Sequence, residues 1–152
     1  MRLTEHFTLE EFQASSTASK YGIENLATEF HAENIKILCE KVLEPLREYV
    51  GRPINITSGY RSAELNKKMK EEGYHVAANS QHMQGQAADI VIHGMSNEDI
   101  IEAFHDAEIE VDQLIDETAI SKNGDESKWI HVSYNVNGNR NKCFKLVNNK
   151  GV

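Results

Sequence analysis

His82 and Asp89 stand seven positions apart in the stretch Asn79-Ser80-Gln81-His82-Met83-Gln84-Gly85-Gln86-Ala87-Ala88-Asp89-Ile90-Val91-Ile92. An imidazole nitrogen and a carboxylate oxygen are both good ligands for a divalent ion. Ala87 to Ile92 reads as a strand in which Ala88, Ile90 and Ile92 take one face, so Asp89 shares the other with Val91 and points out of the core. Gly85 permits the tight turn that brings the His82 ring back over the carboxylate. On this pair alone, a metal site and a polar surface loop both stay open.

A third candidate ligand lies in Lys128-Trp129-Ile130-His131-Val132-Ser133-Tyr134. Alternation sets Trp129, His131 and Ser133 on one face and apolar Ile130 and Val132 on the other. A histidine at the centre of such a strand is held as a scaffolded metal ligand is, although a hydrogen-bonded structural histidine sits equally well there. Two histidines and an aspartate leave a zinc ion one position for water, the open arrangement of catalytic rather than structural sites.

These residues need elements to carry them. Thr8-Leu9-Glu10-Glu11 has the form of a capping box opening a short helix, and Ser15 to Gly22 reads as a small, polar surface loop. From about Glu33 to Val50, Ile35, Leu38, Cys39, Val42, Leu46 and Tyr49 recur every three or four residues, which predicts an amphipathic helix bent at Pro45. Ile54 to Ser58 alternates as a half-buried strand, and Ser62 caps a polar helix running to about Lys70. Ser96-Asn97-Glu98-Asp99 is a second capping box, ahead of the apolar stripe Ile100, Ile101, Phe104 and Ala107. Three strands close the chain, Val111 to Glu117, Lys128 to Tyr134 and Cys143 to Val147, with hairpin-like links at 121–125 and 135–141. The reading is a single α+β domain over residues 1–152, helices first and then a mostly antiparallel sheet.

Composition narrows the partners. The 152 residues carry a formal charge of -8, with no Lys/Arg cluster of the kind that nucleic acid or an anionic membrane surface requires, so neither is expected as a partner. The mixed charges of residues 64–72 read as a solvated helix face. Cys39 and Cys143 sit among apolar neighbours as reduced thiols. The start lacks a basic, apolar leader and no run approaches the ~18 apolar residues of a membrane span, so the expectation is a chain made soluble in the cytoplasm. A chain of this length buries a core without a metal's help, so a metal here serves function.

Three blocks in order, Ser58-Gly59-Tyr60-Arg61-Ser62, then Asn79-Ser80-Gln81-His82 with Gly85-Gln86-Ala87-Ala88-Asp89, then Trp129-Ile130-His131-Val132-Ser133, resemble the D-Ala-D-Ala carboxypeptidase group of zinc peptidases. That group includes phage and bacterial murein endopeptidases cutting L-Ala-D-Glu bonds, and it shares its fold with lysostaphin-type peptidases and the hedgehog signalling domain. The resemblance covers nearly the whole chain. It implies that His82, Asp89 and His131 bind one Zn2+, that Arg61 points into the cleft to hold a substrate carboxylate or a developing oxyanion, and that Ser80 donates to substrate. Trp129 is either a wall of the substrate site or packing beside it.

Zinc chemistry still needs a carboxylate to carry the proton. Relatives in one branch place an acid three positions before the last histidine, where this chain has Lys128. In the hedgehog-like branch the carboxylate ends a Val-Asp-x-x-x-x-Glu strand, and 111–117 matches that pattern, with Gln113, Ile115 and Glu117 on one face. Glu117 is thus the expected base, with Glu126 and Asp125 as rivals and Asp116 on the wrong face. The implied function is hydrolysis of a peptide bond in peptidoglycan stem peptides, by an endopeptidase or a carboxypeptidase, in a phage or prophage lysin or an exported murein enzyme. The alternative is a zinc-bearing binding module of the same fold without catalysis.

Overall fold

The computed structural model describes residues 1–148 and 150–151. Two short helices, α1 (Leu9–Gln13) and α2 (Ser16–Lys20), precede α3 (Glu29–Leu38), which runs through a π-helical turn, Cys39–Leu43, into α4 (Glu44–Val50). Strand β1 (Asn55–Ser58) and helix α5 (Ala63–Glu71) lead to a 3-10 turn, Gln81–Gln84, and strand β2 (Ala87–Val91). Helix α6 (Asn97–Asp106) is followed by β3 (Gln113–Ile120), β4 (Glu126–Ser133), β5 (Lys142–Val147) and β6 (Lys150–Gly151).

The six strands form one sheet in the order β1-β2-β4-β3-β5-β6. Every pairing is antiparallel except that of β3 with β5, which is parallel. The link at 121–125 is the expected hairpin, since Ile120 pairs with Glu126. The link at 135–141 is not: it crosses the end of β3 and delivers β5 to the far side of that strand.

One face of the sheet is covered. Ala88, Ile90, Leu114, Ile130 and Val132 pack against Phe7, Phe12, Leu38, Leu43, Leu46 and Phe104 in a single apolar cluster. The bend foreseen at Pro45 is a π turn: proline has no N–H to give the preceding turn, and the Glu44 N–H reaches back to the Cys39 carbonyl. Tyr49 falls off the apolar stripe and is exposed, because the extra residue in the π turn shifts the phase of the helix beyond it.

Ser62 and Ser96 cap α5 and α6 as expected, the latter with both bonds of the capping box. Thr8 does not cap α1: its backbone bridges to Arg2, and the Leu9 N–H goes to the Met1 carbonyl. Residues 16–20, read as loop, are helical because Ser15 accepts from the Ala18 N–H and Ala18 is buried. Helix α3 begins at Glu29 rather than Glu33, with Thr28 accepting from the His31 N–H. Both cysteines are free, Cys39 buried and Cys143 exposed. No helix among the described residues is long and apolar enough to cross a membrane.

Candidate active site

His82 is set by its turn. The Ser80 hydroxyl accepts from the His82 N–H (3.2 Å), and Gly85, at φ +72°, ends the 3-10 turn against α3, where a Cβ would run into the His31 carbonyl oxygen. Asn34 of α3 holds the same turn by donating to the Gln84 carbonyl (2.8 Å). The imidazole Nδ1 lies 2.7 Å from the Gly59 carbonyl oxygen. A carbonyl only accepts, so Nδ1 carries the proton and Nε2 keeps its lone pair for a metal.

Asp89 and His131 face each other across the β2/β4 ladder, which places both side chains on the uncovered face of the sheet. Asp89 Oδ1 is 3.0 Å from His131 Nδ1 and 3.4 Å from His82 Nε2. The three donor atoms lie within 4.8 Å of one another. Burial opposes the charge of Asp89, but the neighbouring His82 and His131 rings outweigh it and hold the carboxyl well below the ordinary range. A bulge in β1 opposite this residue aims the Thr57 hydroxyl at the Asp89 carbonyl (3.2 Å).

The same face carries Glu117, paired across the β3/β4 ladder with Trp129. The indole N–H donates to Glu117 Oε2 at 3.0 Å. Burial first, and then the charge of Asp89, raise the Glu117 carboxyl above its ordinary value, against the pull of His131 and the Trp129 N–H. Two carboxylates in one cleft are thereby driven apart in acidity, the electrostatic setting for distinct roles. From the opposite face the Asn97 amide donates to Asp116 Oδ1 (2.7 Å), the Trp129 carbonyl (3.0 Å) and the Glu117 carbonyl (3.4 Å), pinning α6 under this pair.

Arg61 enters from the loop between β1 and α5. Its N–H donates to the His82 carbonyl (3.1 Å) and its guanidinium to Asn66 Oδ1 (3.0 Å). Buried Asn66 in turn donates to the Ala77 carbonyl (3.0 Å). A second buried amide, Asn25, donates to the Tyr60 carbonyl and accepts from the Ser62 N–H, both at 2.8 Å. Gly59 is required beside it, since a Cβ there would lie 2.7 Å from the Phe12 Cα. Burial lowers the Arg61 pKa while Asp89 raises it.

These groups line one open cleft of about 460 Å³, with Arg61, Ser80, His82, Asp89, Glu117, Trp129 and His131 all on its walls. Asp116 points the other way, towards Asn97 and Lys145 (3.9 Å). Glu126 and Asp125 are exposed at the hairpin end and do not reach the cleft. The cleft also includes His75 at its rim and Arg140, the latter without any motif in the sequence to mark it. The signal available was Asp112, an acid among Val111, Leu114 and Ile115 that could only be buried with a cation beside it.

The family described as Peptidase M15 matches residues 5–133. No curated protein matches the chain in sequence. Among solved structures, the L-Ala D-Glu endopeptidase ChiX of Serratia marcescens is similar to it at 22% identity, over 53% of this chain and 69% of that one, with a TM-score of 0.40.

Proposed function

The chain belongs to the peptidase M15 family, and from that premise we propose that it is a zinc-dependent peptidase hydrolysing a peptide bond in peptidoglycan stem peptides. The observation that carries the proposal is the convergence of the His82, Asp89 and His131 donor atoms within 4.8 Å, on the same cleft wall as Glu117. Donors on a tetrahedral ion with bonds of roughly 2.0–2.1 Å stand about 3.3 Å apart. The separations of 3.0 and 3.4 Å about Asp89 Oδ1 fit such an ion. Two neutral imidazoles and one carboxylate are also a donor set that zinc accepts while keeping a position open.

Zinc held there supplies Lewis acidity, making water acidic enough to attack near neutral pH and polarising the scissile carbonyl. Glu117 takes the proton of the attacking water and passes it to the leaving amine. Because the Trp129 N–H occupies Oε2, Oε1 is the oxygen free to receive that proton. Arg61, steadied by Asn66, stabilises negative charge on the substrate carbonyl oxygen or binds a carboxylate beside it. Ser80 uses its oxygen to accept from the His82 N–H, which leaves its O–H to donate to substrate. The protein would reach its substrate after release from, or export out of, the cell.

Zinc-dependent release of new amino termini from purified cell wall tests the reading, with loss expected in both His131→Ala and Glu117→Ala. Full activity in Glu117→Ala together with loss in Glu126→Ala would overturn the assignment of the base. Failure of the intact, zinc-loaded protein to cleave any wall would leave a binding module as the function. Mass spectrometry of the digested muropeptides separates an endopeptidase from a carboxypeptidase.

A further inference from the structure

Asp112 is buried and accepts four hydrogen bonds: from the Arg140 N–H (2.9 Å), Nε (3.0 Å) and a terminal guanidinium nitrogen (2.7 Å), and from Gln81 Nε2 (2.9 Å). This is a two-pronged Arg–carboxylate pair with its acid inside and its cation outside, since the Arg140 side chain remains 50% exposed. The guanidinium is held in one orientation on the wall of the cleft that contains His82, Asp89 and His131. Only one edge of it is used. Among the described residues the second terminal nitrogen has no partner, and a guanidinium has five N–H donors to place.

Arg140 is a cation held at the Asp112 end of β3. Along β3, Ile115 lies opposite His131 and Glu117 opposite Trp129, while Gln113, at the Asp112 end, lies one pleat repeat from Ile115. That repeat is about 7 Å, and an extended peptide in the cleft advances by the same amount for every two residues.

We propose that Arg140 is a second anion anchor, binding a substrate carboxylate one to two residues from the scissile bond and so selecting which stem peptides are cut. The proposal rests on the peptidase reading and adds a specificity site to it. Arg61 lies on the wall formed with Asn66 and Ala77, whereas Arg140 closes the end of the cleft beside Gln81 and Gln113. The segment that matches the peptidase family ends at Ser133, so this anchor is supplied by chain beyond it. A guanidinium already locked by Asp112 gives up little conformational freedom on meeting a carboxylate, which is the condition for tight recognition.

The test uses a synthetic stem peptide and versions of it in which its carboxylates are turned, one at a time, into carboxamides. For one of them the zinc-loaded wild type is expected to cleave the free acid at least about 10-fold better in kcat/KM, with the difference in KM. In Arg140→Gln that ratio should collapse to near 1, and in Arg140→Lys it should be intermediate, because the charge stays and the fork is lost. The ratio is taken on one preparation, so partial misfolding of a variant cancels. A ratio equal in wild type and Arg140→Gln for every carboxylate would overturn the proposal and leave Arg140 as a clasp for the 135–141 link. If the protein cleaves neither peptide, the peptidase reading falls, and calorimetric affinities for the same peptides, then free of turnover, read the acid-to-amide ratio by the same criteria.

Discussion

Glu117 and Asp89 share a cleft yet are set to opposite ends of carboxylate behaviour, one held charged by two imidazoles and the other raised by burial and by its neighbour. Replacing Glu117 with Gln keeps the shape and removes the proposed base, and kcat is expected to fall by about 10²–10⁴-fold with bound zinc retained, which metal analysis beside a rate assay checks. Trp129→Phe removes one charge-assisted hydrogen bond of roughly 1.5–3 kcal/mol, so kcat should drop about 10–100-fold with KM little changed. Activity should rise with pH as Glu117 loses its proton, with a midpoint set by that carboxyl. Trp129→Phe should move that midpoint up, because the lost N–H favours the charged form. Strand alternation puts Asp89, His131 and Glu117 each on the polar face of its own strand, but His82 lies in a turn and only the resemblance to zinc peptidases joins the four into one site. Arg140 was not legible, since no period within a strand reveals a residue that arrives by a crossing link.

The elements hold the site through a few close approaches and four buried or half-buried amides, Asn25, Asn34, Asn66 and Asn97. Gly85→Ala would combine a left-handed backbone with a collision against the His31 carbonyl, at a cost of at least about 2 kcal/mol. Its zinc affinity should fall along with its melting temperature, because the turn being displaced carries His82. Serine caps at 62 and 96 could be read from sequence, as each precedes a clear apolar or polar period. The helix of residues 16–20 could not, because five residues are too few to show a period. The crossover after β4 escaped for a related reason: Asn and Gly in 135–141 satisfy a turn of any destination, and the choice of β3 as partner is made by pairing far along the chain.

At the scale of the whole molecule, the apolar cluster between sheet and helices is complete without the ion. Chelator-treated protein should therefore keep its far-ultraviolet circular dichroism and unfold cooperatively. Zinc at 100 times its Kd should add about 2.7 kcal/mol, or a rise of roughly 5–10 °C in Tm for a chain of this size. Asp112 gives a separate acid response: the Arg140 hydrogen bonds lower its pKa to about 2, below the ~3.9 of an unfolded aspartate. Its contribution is present above about pH 4 and lost as pH falls towards 2, so urea midpoints of the wild type should decline across that window. Asp112→Asn should start lower at neutral pH and decline less. The parallel strand β5 also sets an order of events in folding. Strands β3 and β4 are joined by a five-residue turn and can pair early, bringing Glu117 and Trp129 together, whereas β5 must first carry residues 134–141 across the end of β3. The wall that carries Arg140 is therefore completed only after the strand pair that sets Glu117 beside Trp129.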